Sequence, residues 1–214
     1  MDRQKRKASD TGKNKMRVGH VLGNGDGAIT SYKPTKGFKI TCNLPPMHVP
    51  NTYGTCLVDF KMMRAISTGA VQVPGDWIMG VRPKHYISEH PNFRMKYCQH
   101  FKEYYEVLPD YVKTYTDLNC GHFATHYTAN HLKCEEIHMH GFNSMFDMDL
   151  RSCTDLYLNS DRHNDNNLRL SDNWRPIWQS LFQEFPDKQF VIYHHQDKIK
   201  FRVGDNVEIR TIRK

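Results

Sequence analysis

The stretch "VLGNGDGAI", residues 21–29, runs from apolar residues into Gly23, Asn24, Gly25, Asp26 and Gly27. Glycine has no Cβ, so a turn of this kind lets a ligand or another chain segment approach the backbone closely. Asn24 offers both a donor and an acceptor to a base or a sugar. The glycines fall at alternate positions, which is not the Gly-x-Gly-x-x-Gly spacing of a dinucleotide site. "TCN" (41–43) ends the next strand without the acidic residue that holds an NAD ribose. The turn therefore reads as a contact for a nucleotide or sugar other than NAD, or as a tight structural turn.

A second stretch, "NCGHFATHYTANHLKCEEIHMHGFNSMF" (119–146), opens a helix from a small-residue turn whose N–H groups suit an anion. His122 and His126 stand at helical i, i+4, while His138 and His140 alternate along a strand and so share a face. Together they could bind a metal and serve a hydrolase, although no His-Glu-x-x-His pattern accompanies them. "DMD" (147–149) has the form of a metal-binding motif found in many glycosyltransferases. The third stretch is "TDLYLNSDRHNDNNLRLSDNWRPIW" (154–178), rich in Asp, Asn and Arg. It reads as a solvated loop or as a lid. As a lid, Arg162 or Arg169 would neutralise a leaving pyrophosphate, and a His or Asp would deprotonate an acceptor hydroxyl.

The elements that must position these residues follow from hydrophobic period and turn chemistry. Strands are expected at 16–25, 38–43, 52–60, 77–83, 135–143 and 189–195. Helices are expected at 61–68, 121–134 and 172–185. The last carries Ile177, Leu181 and Phe185 at i, i+4, i+8, with Asp172 or Asn173 as its cap and Pro176 in its first turn. Residues 84–118 suggest a helix or two and loops, and 199–212 suggests a hairpin around Gly204-Asp205-Asn206. The expected fold is α/β: a Rossmann-like, mostly parallel sheet flanked by helices, with a C-terminal β-hairpin. Ligands bind beyond the carboxyl ends of such strands. That rule maps a site onto Asn24 to Gly27, Asn43, Asp59, Arg82 and Gly141 to Ser144.

The 214 residues fit one domain, 16–214, behind a basic tail, 1–15. Arg3, Lys5, Arg6, Lys7, Lys13 and Lys15 give that tail more than half of the formal net charge of +7. Such a run is solvated charge or an arm for nucleic acid. A 38% hydrophobic and 12% aromatic content supports a core. No apolar run approaches membrane-spanning length, and the N-terminus lacks the apolar segment of a secretory signal. Cysteines 42, 56, 98, 120, 134 and 153 form no Cys-x-x-Cys pair, which suits reduced thiols in a cytoplasmic protein.

The order of these features resembles the bacterial sialyltransferases of glycosyltransferase family 42 and related sialyltransferase-like proteins. The matching features are a strand ending in Gly-Asn-Gly, the next ending in Cys42-Asn43, then a small-residue turn, a helix and "CEEIHMHGFN" (134–143). The match covers roughly 18–60 and 117–146. It implies a nucleotide-sugar donor such as CMP-sialic acid, transfer to a hydroxyl acceptor, and no required metal or other cofactor. By position, Gly23, Asn24, Gly25 and Asn43 would contact the nucleotide or the sugar. Asn119, Cys120 and Gly121 would lie by the donor phosphate or carboxylate, and Gly141, Phe142 and Asn143 by the ribose or base. The sequence departs from the family at Asp26 and Gly27, where it has Pro and Ser, and at Cys120, where it has Ser. Arg169 stands where the family's catalytic histidine falls, so the base would be His163, Asp165 or Asp172. These departures leave a non-catalytic nucleotide- or nucleic-acid-binding module as an alternative beside the metal hydrolase.

Overall fold

The structure, a computed structural model, describes residues 16–146 and 173–213. Among the described residues, eight strands form one sheet: β1 (Val18–Leu22), β2 (Phe38–Cys42), β3 (Gly54–Leu57), β4 (Trp77–Met79), β5 (Phe101–Tyr104), β6 (Glu136–His140), β7 (Gln189–His194) and β8 (Val207–Thr211). Helices α1 (Gly27–Ser31), α2 (Phe60–Ser67), α3 (Val81–Glu89), α4 (Pro91–Tyr97), α5 (Cys120–His126) and α6 (Arg175–Glu184) connect or flank them. All seven strand pairings are parallel, in the order β5-β4-β3-β2-β1-β6-β7-β8. The chain steps outward from β1 to β5, then returns to lay β6 on the other side of β1. The order thus reverses between β1 and β6, which in an open α/β sheet marks the crevice where ligands bind. None of the described helices is long and apolar enough to cross a membrane.

Alternation along the strands divides the core into two layers. Val21, Ile40, Cys56, Ile78, Ile137, Met139, Phe190 and Ile192 face α5 and α6, where Phe123, Tyr127, Trp178, Leu181 and Phe182 complete a continuous cluster. On the other face, Leu57, Trp77 and Met79 pack against Met62, Met63 and Ile66 of α2, Tyr86 of α3 and Phe93 of α4.

Three sequence expectations are corrected. First, the unclear stretch 84–118 contains an edge strand, β5, whose inward residues are interleaved with exposed ones and so lack a continuous apolar run. Second, Val81 to Pro83 open α3 instead of ending β4. Proline is tolerated there because a first-turn N–H has no helical acceptor. Third, the C-terminal hairpin is a turn followed by one strand. β8 runs parallel to β7, with Phe190 opposite Val207 and His194 opposite Thr211. Ile199 and Phe201 pack on the core instead of pairing as a strand, and Asn206 Nδ2 donates to Phe182 O at 2.9 Å and Phe185 O at 3.1 Å. The segment 195–206 thus carries the chain back past the C-terminal end of α6 to start β8 parallel to β7.

The second face of β1, β6 and β7 carries His20, His138, His140 and Tyr193, one step out of phase with the apolar residues. The rings lie nearly parallel: His20 and His138 are 4.8 Å apart at 12°, and His140 and Tyr193 are 4.6 Å apart at 9°. A directed chain of hydrogen bonds crosses this face. Arg210 donates to Tyr193 Oη at 3.2 Å, so that hydroxyl donates to His138 Nδ1 at 3.0 Å. His138 Nε2–H in turn donates to Glu136 at 2.6 Å. Tyr193→Phe leaves His138 Nδ1 without its donor. It is expected to cost about 1–2 kcal/mol, read as a lower urea midpoint at unchanged slope at pH 7.

Candidate functional site

The first two segments singled out in the sequence meet at the carboxyl edge of the sheet, over the reversal point. Gly23 N–H donates to His140 O at 2.8 Å, and Gly25 N–H donates to Gly141 O at 3.1 Å. The β1 turn therefore lies backbone to backbone on the β6 turn. A Cβ on Gly23 would stand 2.6 Å from Gly141 O, and one on Gly141, whose φ is +76°, would stand 2.7 Å from Gly25 O. The close approach that these glycines permit is made by another chain segment, and both amides already have carbonyl partners.

Asn24 is similarly engaged. With its amide oriented to donate, Nδ2 reaches Leu44 O at 3.1 Å and also Cys42 O, tying the β1 turn to the end of β2. Asn43 differs. Its φ of +48° puts it in the left-handed region that asparagine tolerates better than most residues. Its N–H donates to Cys56 O at 3.0 Å, and it is 8% exposed. Its Oδ1 is buried with no hydrogen-bond partner among the described residues. A buried acceptor in that state costs stability unless something donates to it.

The turn before α5 serves the helix itself. Asn119 Oδ1 accepts from His122 N–H at 2.9 Å and Asn119 N–H donates to His122 Nδ1 at 3.3 Å, a reciprocal cap. The Cys120 thiol points inward and donates to Cys56 O at 3.0 Å; burial pushes its pKa up, so it stays protonated. A Cβ on Gly121 would meet the Phe142 ring at 2.6 Å, and Phe142 makes an edge contact with Trp178 at 5.5 Å. Asn119, Cys120, Gly121, Gly141 and Phe142 thus gather at one edge, largely by packing on one another. Asn143 turns outward, with Nδ2 donating to Asp26 Oδ1 at 3.2 Å.

Farther along the edge, Asp59 and Arg82, after β3 and β4, form an ion pair at 2.5 Å. Arg82 lines a small cleft with Val58, Gly80, Leu118 and Phe123. His194, at the end of β7, escaped the sequence reading. It is 2% exposed and stacks flat on Phe146 at 3.8 Å and 9°. The signal was available: "HH" (194–195) ends a strand, the same rule that picked out Asn43. The expected catalytic residues His163, Asp165, Arg169 and Asp172, and the "DMD" motif, lie outside the described residues, as does the basic tail.

The four histidines considered for a metal do not converge. His122 lies on the α5 side, where Nε2–H donates to Trp174 O at 3.0 Å. His126 accepts at Nδ1 from Tyr105 Oη at 2.7 Å, because Asn130 donates to that same hydroxyl at 2.8 Å, and its Nε2 is 3.2 Å from Glu184. His138 and His140 project from the opposite face of the sheet. No group of three or more His, Cys, Asp or Glu is placed to hold a metal ion among the described residues. The five described cysteines are free thiols. Burial pushes the pKa of His122 and His140 down to about 3 and that of His20 to about 4, so all three are neutral at pH 7.

No family model, curated protein or solved structure matches the chain.

Proposed function

We propose that the chain is a glycosyltransferase-like enzyme. It would bind a nucleotide-sugar at the carboxyl edge of the sheet between β1 and β6 and transfer the sugar to a hydroxyl acceptor. The observation that carries this reading is a coincidence of place. The turns with Asn24 and Asn143, read in sequence as nucleotide-sugar contacts, stand where the strand order reverses, and Asn43 directly follows the adjacent strand β2. The buried, unpartnered Oδ1 of Asn43 supports it, since a base amino group or a sugar hydroxyl would supply the missing donor. Gly23, Gly25, Asn24 and Cys120 act in this reading as the frame, because their polar groups are engaged within the protein. Sugar transfer further needs a group to accept the acceptor's proton and a donor toward the leaving phosphate. His163, Asp165, Asp172 and Arg169 remain the proposed sources of these roles.

The test is thermal-shift measurement with CMP, UDP, their sugar conjugates and divalent metals. Stabilisation by a nucleotide without metal supports the reading, and a shift only with zinc or manganese would overturn it. Asn43→Gly keeps the backbone angle and removes the amide. It is expected to fold and to weaken nucleotide binding about tenfold. Donor hydrolysis separates an enzyme from the alternative, a non-catalytic binding module. That alternative is favoured by the inward-turned Cys120, and binding with no hydrolysis would support it.

A further inference from the structure

We propose that the sugar held at this edge is uncharged, and that Asp26 and His194 recognise its hydroxyls, the carboxylate accepting and the imidazole Nε2–H donating. The inference rests on the nucleotide-sugar reading above and specifies the class of sugar.

Asp26 occupies the N-cap position of α1 but makes no capping bond. An aspartate there ordinarily turns its carboxylate onto the helix N–H groups. Here the carboxylate is exposed and is held instead by Asn143 Nδ2 from the β6 turn at 3.2 Å. Among the described residues it has no other side-chain hydrogen bond, and it stands at the start of α1, in the turn that follows β1.

His194 ends β7, next to β6 in the sheet. The Gln196 N–H donates to its Nδ1 at 3.0 Å, which fixes the ring proton on Nε2. That Nε2–H is buried and has no acceptor among the described residues. The stack on Phe146 holds the ring in one orientation. Burial, with the neighbouring His195, pushes its pKa down to about 4, although the Asp26 carboxylate pulls the other way. The ring is therefore a neutral donor at pH 7, and it cannot balance a second negative charge.

The edge over β1, β6 and β7 thus offers a carboxylate and a neutral N–H. A hydroxyl both donates and accepts, so a sugar's hydroxyls satisfy both groups. A sugar carrying its own carboxylate would set a like charge near Asp26, which is unfavourable in a partly desolvated site.

UDP-glucose and UDP-glucuronate differ by one carboxylate on the same nucleotide and make the comparison direct; CMP and CMP-sialic acid form a second pair. By calorimetry on the full chain, the neutral sugar conjugate is expected to bind about tenfold tighter than the charged one, and CMP-sialic acid no tighter than CMP. Asp26→Asn changes an exposed side chain and should fold. It is expected to bring the UDP pair to within about twofold while leaving UDP and CMP themselves unchanged. His194→Phe keeps a ring on Phe146 and is expected to weaken UDP-glucose about tenfold, with UDP unchanged. Equal or tighter binding of the charged sugar by the wild type, or discrimination that survives Asp26→Asn, overturns the inference alone. Failure of every nucleotide and conjugate to bind overturns the proposed function and this inference with it.

Discussion

Acidification from pH 7 to pH 4.5 is expected to destabilise the protein steeply, well before its carboxylates are fully protonated. His20, His122 and His140 are buried, with pKa values pushed to about 4, 3 and 3. In the unfolded chain each returns to its ordinary value near 6.5. The folded pKa lies below the unfolded one, so the unfolded chain takes up protons first as the pH falls. Stability is therefore fully present above the unfolded pKa and is lost as the pH drops from about 6.5 toward 4. Each such histidine contributes up to about 1.4 kcal/mol per pH unit in that window. Three together, over two units, remove a large part of the ~5–15 kcal/mol that holds a domain folded. Urea midpoints measured at pH 7, 6 and 5 should fall progressively. A midpoint constant across that range would show that these imidazoles are not held neutral by burial.

Adding one methyl at the reversal point is expected to have the largest effect of any single surface-to-core change. Gly141→Ala would strain a φ of +76° and drive Cβ to within 2.7 Å of Gly25 O; Gly23→Ala would stand 2.6 Å from Gly141 O. The obstacle in both cases is backbone, which cannot rotate away as a side chain would. Separation of the two turns would also break the Gly23–His140 and Gly25–Gly141 hydrogen bonds. A cost of about 3 kcal/mol or more is expected for each, with loss of nucleotide binding. Gly69→Ala is the control. Its φ is +77°, but nothing lies within 4 Å of the added Cβ, so only the conformational strain of about 1–2 kcal/mol remains. Thermal melts of the three variants should rank Gly69→Ala well above the other two. If Gly23→Ala, which has no left-handed φ, melts as the wild type does, the turns are not in the contact described.

The local code of this chain is readable where burial is periodic. β1, β2, β6 and β7 were visible as apolar or β-branched runs ending in turn residues, and α6 as a stripe containing Ile177 and Leu181. β5 was hidden because an edge strand with alternating exposure looks like loop. β8 was visible, but its direction was misread, because a Gly-Asp-Asn turn signals a reversal without saying what the following strand pairs with. His194 was overlooked although the strand-end rule pointed to it.

The amino-acid sequence by itself determined that this is a parallel α/β chain with small, polar turns after β1, β2 and β6. Hydrophobic period and turn residues are local properties, and they decide which segments are buried and where the chain bends. Only the tertiary structure decided what "GNGDG" does. Its glycine amides meet the carbonyls of His140 and Gly141, Asn24 braces the end of β2, and Asp26 is turned toward Asn143, 117 residues away. A bond between groups so far apart leaves no mark on the residues near either one. Where a polar atom finds its partner, or is left without one as at Asn43 and His194, is fixed when the sheet brings the strand ends together.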